Sequence, residues 1–160
     1  MKSNAWVVEG VFHPVISVVS LDEAIRFFRD AIGLRVTFDG YHAPSAIESL
    51  FGYKEPVVHS AVVECPDGSE IELIEFENPS ATLNPLMEMH QTGLVALALR
   101  VEGLELLVQR LKNSGFEMKT EIVLQELPDG ENLMVAVCSA PSDIRVILVE
   151  PPVGRKSLGS

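Results

Sequence analysis

Basic side chains are scarce in this 160-residue chain: 12 Lys and Arg stand against 23 Asp and Glu, a formal net charge of −11. Such a balance repels phosphate backbones, which argues against nucleic-acid binding and leaves neutral or cationic small molecules as partners. Cysteine is scarcer still. Cys65 and Cys138 make no disulfide framework, and both fall in predicted strands, so they read as small reduced core residues. Aromatics reach only 6%, with one Trp at position 6, too few for the stacking surfaces that hold a large cationic drug. No apolar run approaches a membrane span, and the N-terminus lacks the charged segment and apolar stretch of a secretory signal. The expectation is a cytoplasmic protein without a membrane partner. A Gly-rich phosphate loop, a Ser nucleophile elbow and a paired-cysteine zinc motif are also missing.

What the chain does have is 47% apolar residues, ample for one domain or two small modules sharing a core. It also nearly repeats itself. "HPVISVVSLDEAIRFFRDAIGL" (13–34) and "ALALRVEGLELLVQRLKNSGF" (96–116) align with a shift of 83. "ECPDGSEIELIEFENP" (64–79) and "SAPSDIRVILVEPP" (139–152) align with a shift of 75. Each half begins as an apolar strand and becomes a helix. In the first helix Leu21, Ala24, Ile25, Phe28 and Ile32 share a face, Ser20 and Glu23 form a capping box, and Gly33 supplies the stop. Leu104, Leu107, Val108 and Leu111 do the same in the second, which ends at Gly115. Strands are predicted near 35–38, 57–64 and 70–76, then over 119–126, 132–138 and 144–150, with "PDGS" (66–69) and "PDGE" (128–131) as turns.

Each half therefore reads β-α-β-β-β. Module one spans about 11–77, a Pro-, Asn- and Ser-rich linker about 78–92, and module two about 93–151. Such a unit has its helix on one sheet face and leaves the other open. The fold class is α+β, with two paired modules forming a cup-shaped mixed sheet around a small ligand.

The two aligned segments, with "PDGSEIEL" and the closing "VILVEPP", resemble the vicinal oxygen chelate superfamily, which includes glyoxalase I, methylmalonyl-CoA epimerase, extradiol dioxygenases and bleomycin resistance proteins. The resemblance covers residues 11–151. It implies a homodimer and a metal ligand from the first and last strand of each module. His13 and Glu72 match the first two ligand positions, but Ala96 and Ile147 occupy the others and carry no donor. One divalent ion (Mn, Fe, Co, Ni or Zn) would then need replacement ligands.

His59 is the replacement suggested by alternation. If the "PDGS" turn pairs Cys65 with Glu70, Val63 lies opposite Glu72, and His59 shares its face. His13, His59 and Glu72 would form a two-histidine, one-carboxylate set; a one-residue slip makes His59 an ordinary half-buried histidine. His42 and Tyr41, in the variable loop of the first half, are candidate substrate contacts, as is His59; Tyr53 flanks the same segment. His90 reads as a linker histidine. Glu75 and Glu150, three positions beyond the ligand site, fall on the opposite face and read as structural.

Without a metal, His13 and Glu72 suit a general base with an orienting carboxylate, fitting epimerisation, isomerisation or elimination next to a carbonyl or carboxylate. Two functions follow from the resemblance: a lyase or isomerase of the glyoxalase-related type, or a metal-free protein that sequesters a small molecule as bleomycin resistance proteins do.

Overall fold

The computed structural model describes residues 6–158. Its first half runs β1 (Val15–Ser17), α1 (Leu21–Ile25), β2 (Arg35–Tyr41), α2 (Pro44–Phe51), β3 (Val57–Glu64) and β4 (Glu70–Asn78). The second runs β5 (Leu97–Arg100), α3 (Leu104–Asn113), β6 (Val123–Glu126), β7 (Asn132–Ala140) and β8 (Ile144–Glu150). These form two four-stranded mixed sheets, ordered β1-β4-β3-β2 and β5-β8-β7-β6. In each, the first strand pairs parallel with the last and the remaining pairs are antiparallel. The β-α-β-β-β repeat is thus present twice.

The first helix obeys its local signals. Ser20 Oγ accepts from the Glu23 amide at 3.3 Å, and the helix widens into a π-helical stretch over Arg26–Ile32. It stops where Gly33 turns left-handed at φ 95° and the Leu34 amide reaches the Phe28 carbonyl. Both helices take a further cap from a strand. Glu75 of β4 accepts from the Leu21 amide at 2.7 Å. Glu150 of β8 accepts from the Gly103 and Leu104 amides at 2.9 and 2.7 Å. The two carboxylates that alternation placed opposite the ligand positions are helix N-terminal caps.

The buried faces of both modules meet in one cluster. Phe27 and Phe28 of the first helix pack with Ala61, Val63, Ile71 and Leu73 on one sheet, and with Leu104, Leu111, Val146 and Leu148 of the second half. Phe27 stands edge-on to Phe28 and to Phe116, each at 5.0 Å. Cys138 belongs to this cluster, and burial pushes its thiol up to about 11, so it stays protonated; Cys65 is half-buried, and both thiols are free.

Two details differ from the sequence reading. The predicted strand over 119–126 is regular only from Val123, because the Lys119 and Thr120 amides share the Val137 carbonyl while Thr120 Oγ1 accepts from the Val137 amide. The "PDGS" turn also closes one residue shorter. Cys65 pairs with Ser69, not Glu70, because Gly68 takes φ 86° and Asp67 Oδ1 accepts from both the amide and the hydroxyl of Ser69.

Candidate functional site

The shorter turn decides which side chains meet. Val62, not Val63, lies opposite Glu72, and Val63 faces Ile71. Since neighbouring residues alternate between faces, Ser60 and Val62 share the face of Glu72, whereas His59 points to the other side. The set of His13, His59 and Glu72 is therefore not assembled. His59 pairs across the strands with Glu75, bonds Asp39 Oδ1 at 2.6 Å and stacks on Tyr41 at 4.5 Å. Tyr41 hangs on that same side, its hydroxyl donating to Glu77 Oε1 at 2.7 Å. Neither His59 nor Tyr41 touches Glu72.

His13 does. The Glu72 amide donates to the Pro14 carbonyl at 3.0 Å, which locks β1 beside β4 with Val15 level with Glu72. His13, two residues before Val15, reaches the same face, and its Nε2 lies 3.2 Å from Glu72 Oε2. The third member is His42, just after β2. Its amide bonds the Val58 carbonyl at 3.0 Å, and its Nε2 approaches Glu72 Oε1 to 2.9 Å. Gly40, two residues earlier, leaves room for the Phe38 ring, which lies 3.1 Å from where a Cβ would stand.

A fourth group was not singled out by the sequence. Ser60 is fully buried, and its hydroxyl donates to Glu72 Oε1 at 2.8 Å. Its signal was legible once the register is known, since it sits two residues from Val62. Glu70, two residues before Glu72 on the same face, was likewise overlooked. Its Oε2 stands 3.9 Å from His13 Nδ1, a buried nitrogen that has no hydrogen-bond partner.

Glu72 is the hub of this arrangement, its side chain only 13% exposed. Burial pushes its carboxyl up, but the hydrogen bonds from Ser60 and His42 and the nearby His42 and His13 rings more than offset this. The net effect is a carboxyl held below the usual glutamate range. His42 bonds it through Nε2, so its neutral imidazole donates there and carries its lone pair on Nδ1, while His13 Nε2 stands at ion-pair distance. His13 is enclosed, whereas the His42 side chain is about a third exposed.

The fit of a metal follows from the same distances. The two imidazoles approach different oxygens of Glu72, His42 through a hydrogen bond at 2.9 Å and His13 at 3.2 Å, and the donors do not converge on a point. Among the described residues no three His, Cys, Asp or Glu side chains are grouped to hold a metal ion. On the second sheet Ile147 lies beside Ala98 and Val137, so the position corresponding to Glu72 has only apolar neighbours across the strands. His90 is exposed in the linker. Two hollows lie away from His13, His42 and Glu72. One of about 530 Å³ runs between Ser17, Tyr53, Phe76 and linker residues 79–84, and one of about 180 Å³ lies beside β5. The site is marked by its chemistry and not by depth. No described helix is long and apolar enough to cross a membrane.

The comparisons agree with this architecture. A family profile described as the glyoxalase/bleomycin resistance protein/dioxygenase superfamily matches residues 12–130. Among solved structures, a glyoxalase family protein from Bacillus cereus is similar at 26% identity and a TM-score of 0.81, covering 94% of this chain and 98% of that one. A glyoxylase/bleomycin resistance protein/dioxygenase domain from Frankia sp. is similar at 20% identity and a TM-score of 0.65, covering 93% and 96%. The trypanothione-dependent glyoxalase I of Leishmania major shares the fold at 17% identity and a TM-score of 0.61, over 89% and 87%. None of the curated proteins matches. With its two β-α-β-β-β modules and a family match over most of its length, the chain belongs to the glyoxalase/bleomycin resistance protein/dioxygenase superfamily.

Proposed function

We propose that this chain is a small-molecule enzyme of the lyase or isomerase/epimerase type, moving a proton next to a carbonyl or carboxylate. The observation that carries the reading is Glu72, an enclosed carboxylate facing three donor groups from three separate segments. An enclosed charge costs several kcal/mol unless it is compensated. Here Ser60, His13 and His42 compensate it, and the carboxylate in turn fixes how each ring is presented. His42 is the ring that a ligand reaches from solvent. Its Nδ1 lone pair takes a proton from the carbon beside the carbonyl, the electron pair passes to the carbonyl oxygen, and return of the proton completes isomerisation or epimerisation. Glu72 holds the His42 tautomer, and His13 and Ser60 hold Glu72.

Members of this superfamily often bind a divalent metal, but the donors here do not converge, so no step is routed through one. The test is proton exchange into deuterated water, followed by NMR across small carbonyl and carboxylate compounds. Exchange by the native chain that falls roughly 10²-fold or more in Glu72→Gln and His42→Gln supports the reading. Exchange appearing only with added Mn, Fe, Co, Ni or Zn, and requiring His13, His42 and Glu72, would replace it with a metal-assisted mechanism.

A second reading is a metal-free binding protein. It is favoured by module two, where Ala96 and Ile147, neither with a donor, stand at the other ligand positions. It predicts saturable binding with no exchange for any compound, unchanged in Glu72→Gln.

A further inference from the structure

The hollow of about 530 Å³ shares a face of the first sheet with Glu72. Alternation along β4 puts Glu72, Ile74 and Phe76 on that face, and Val15 and Ser17 of β1 pair with Glu72 and Ile74. Phe76 and Ser17 line the hollow. Between it and Glu72 stand Ile74, half-buried, and Val15, 52% exposed, an apolar strip that solvent reaches. We propose that hollow and cluster are the two ends of one site, and that its substrate is an elongated molecule. The carbonyl or carboxylate end meets His42, and an uncharged aromatic ring at the other end fills the hollow. Such a substrate presupposes the proton transfer proposed above for His42.

The hollow is built into the fold. The Ala81 amide donates to the Phe76 carbonyl at 2.8 Å, which holds the linker against β4. The Val19 amide donates to Ser142 Oγ at 2.9 Å, which ties the second module to the end of β1.

Its lining selects the tail. Among the described residues around it there is no Lys, Arg, His, Asp or Glu, although the chain carries a net charge of −11. An ionised tail would find no counter-charge there, so the tail is neutral. The Tyr53 and Phe76 rings stand 5.1 Å apart at 52°, a tilted pair that a third ring extends in the offset or edge-on packing aromatic rings prefer. Tyr53 is 42% and Leu83 57% exposed, apolar surface that such a ring would remove from water. Ser17 and Asn84 add hydrogen-bonding groups, which suits a hydroxyl on the ring. Glu72 and Phe76 stand four positions apart on β4, roughly 13 Å of strand, and this sets the length of the molecule.

A homologous series of ω-phenyl 2-oxo acids tests it, in which added methylenes lengthen the chain between the ring and the oxo group. Affinity is read by calorimetry, and exchange of the protons beside the oxo group by NMR in deuterated water. At the length that spans the strip, the phenyl compound is expected to bind roughly tenfold or more tightly than the alkyl acid of equal chain length. That advantage should fall away at shorter and longer lengths. It should be lost in Tyr53→Ala and in Leu83→Asp, two exposed positions whose replacement should leave the circular dichroism unchanged. A ring advantage independent of length overturns the proposal, since ring and acid would then bind apart. So does an advantage that both variants leave intact, and so does a series in which no member binds at millimolar concentration. Exchange without any ring advantage overturns it while sustaining the function proposed above. A ring advantage lost in both variants, without exchange, supports the tail site and overturns that function.

Discussion

At the scale of single residues, Glu72 is where sequence and structure meet. Its partnership with His13 was legible through the family resemblance, which puts both at ligand positions of module one. His42 was legible only as a loop residue near the ligand, because nothing local sets how far a loop side chain reaches. Ser60 went unnoticed because one hydroxyl in a strand carries no pattern. Replacing Ser60 by Ala removes one donor from a buried carboxylate, at a cost of about 1–2 kcal/mol. The Glu72 carboxyl should rise toward its ordinary value, which a carbon-detected NMR titration reads. The pH dependence has a definite sign. A carboxyl lowered in the folded state adds stability that is present above the ordinary glutamate value and lost as pH falls through it toward the lower folded value. Urea titrations of the native chain and Glu72→Gln should therefore show a stability gap that narrows as pH is lowered through that range. His59→Gln, on the opposite face, should leave both proton exchange and this gap unchanged.

At the scale of elements, the caps and turns set the geometry. Glu150 accepts from two amides at the start of α3 and Glu75 from one at the start of α1. Glu150→Ala is thus expected to cost about 1–2 kcal/mol and Glu75→Ala less, measured by urea unfolding. Alternation placed both residues on the correct face but could not name their partners, which lie about 50 residues away in sequence. The "PDGS" hairpin was recognisable from its residues, yet its register was not. Whether a Gly-containing turn closes over three residues or four depends on side-chain bonds such as those of Asp67 to Ser69. A one-residue difference there exchanged His59 for Ser60 beside Glu72.

For the whole molecule, the shared core makes the two modules one cooperative unit. Phe27 is fully buried and touches aromatic neighbours from both halves. Phe27→Ala should cost about 3–5 kcal/mol. Because the same cluster includes residues of both sheets, calorimetry should show a single transition shifted as a unit, not one module melting before the other. The net charge of −11 acts at this scale too. It opposes close association between copies wherever like-charged surfaces would meet.

The sequence by itself determined the repeat, the two β-α-β-β-β modules, the helix stops and the faces of Glu72, Glu75 and Glu150. Each of these follows from periodicity and local backbone preference, which act over a few residues. Only the tertiary structure decided that Val62 and not Val63 faces Glu72, that His42 reaches it, and that the two imidazoles approach different oxygens instead of one point. Those outcomes depend on turn closure and on loop reach between segments distant in sequence, where a shift of one residue reverses a side chain's direction.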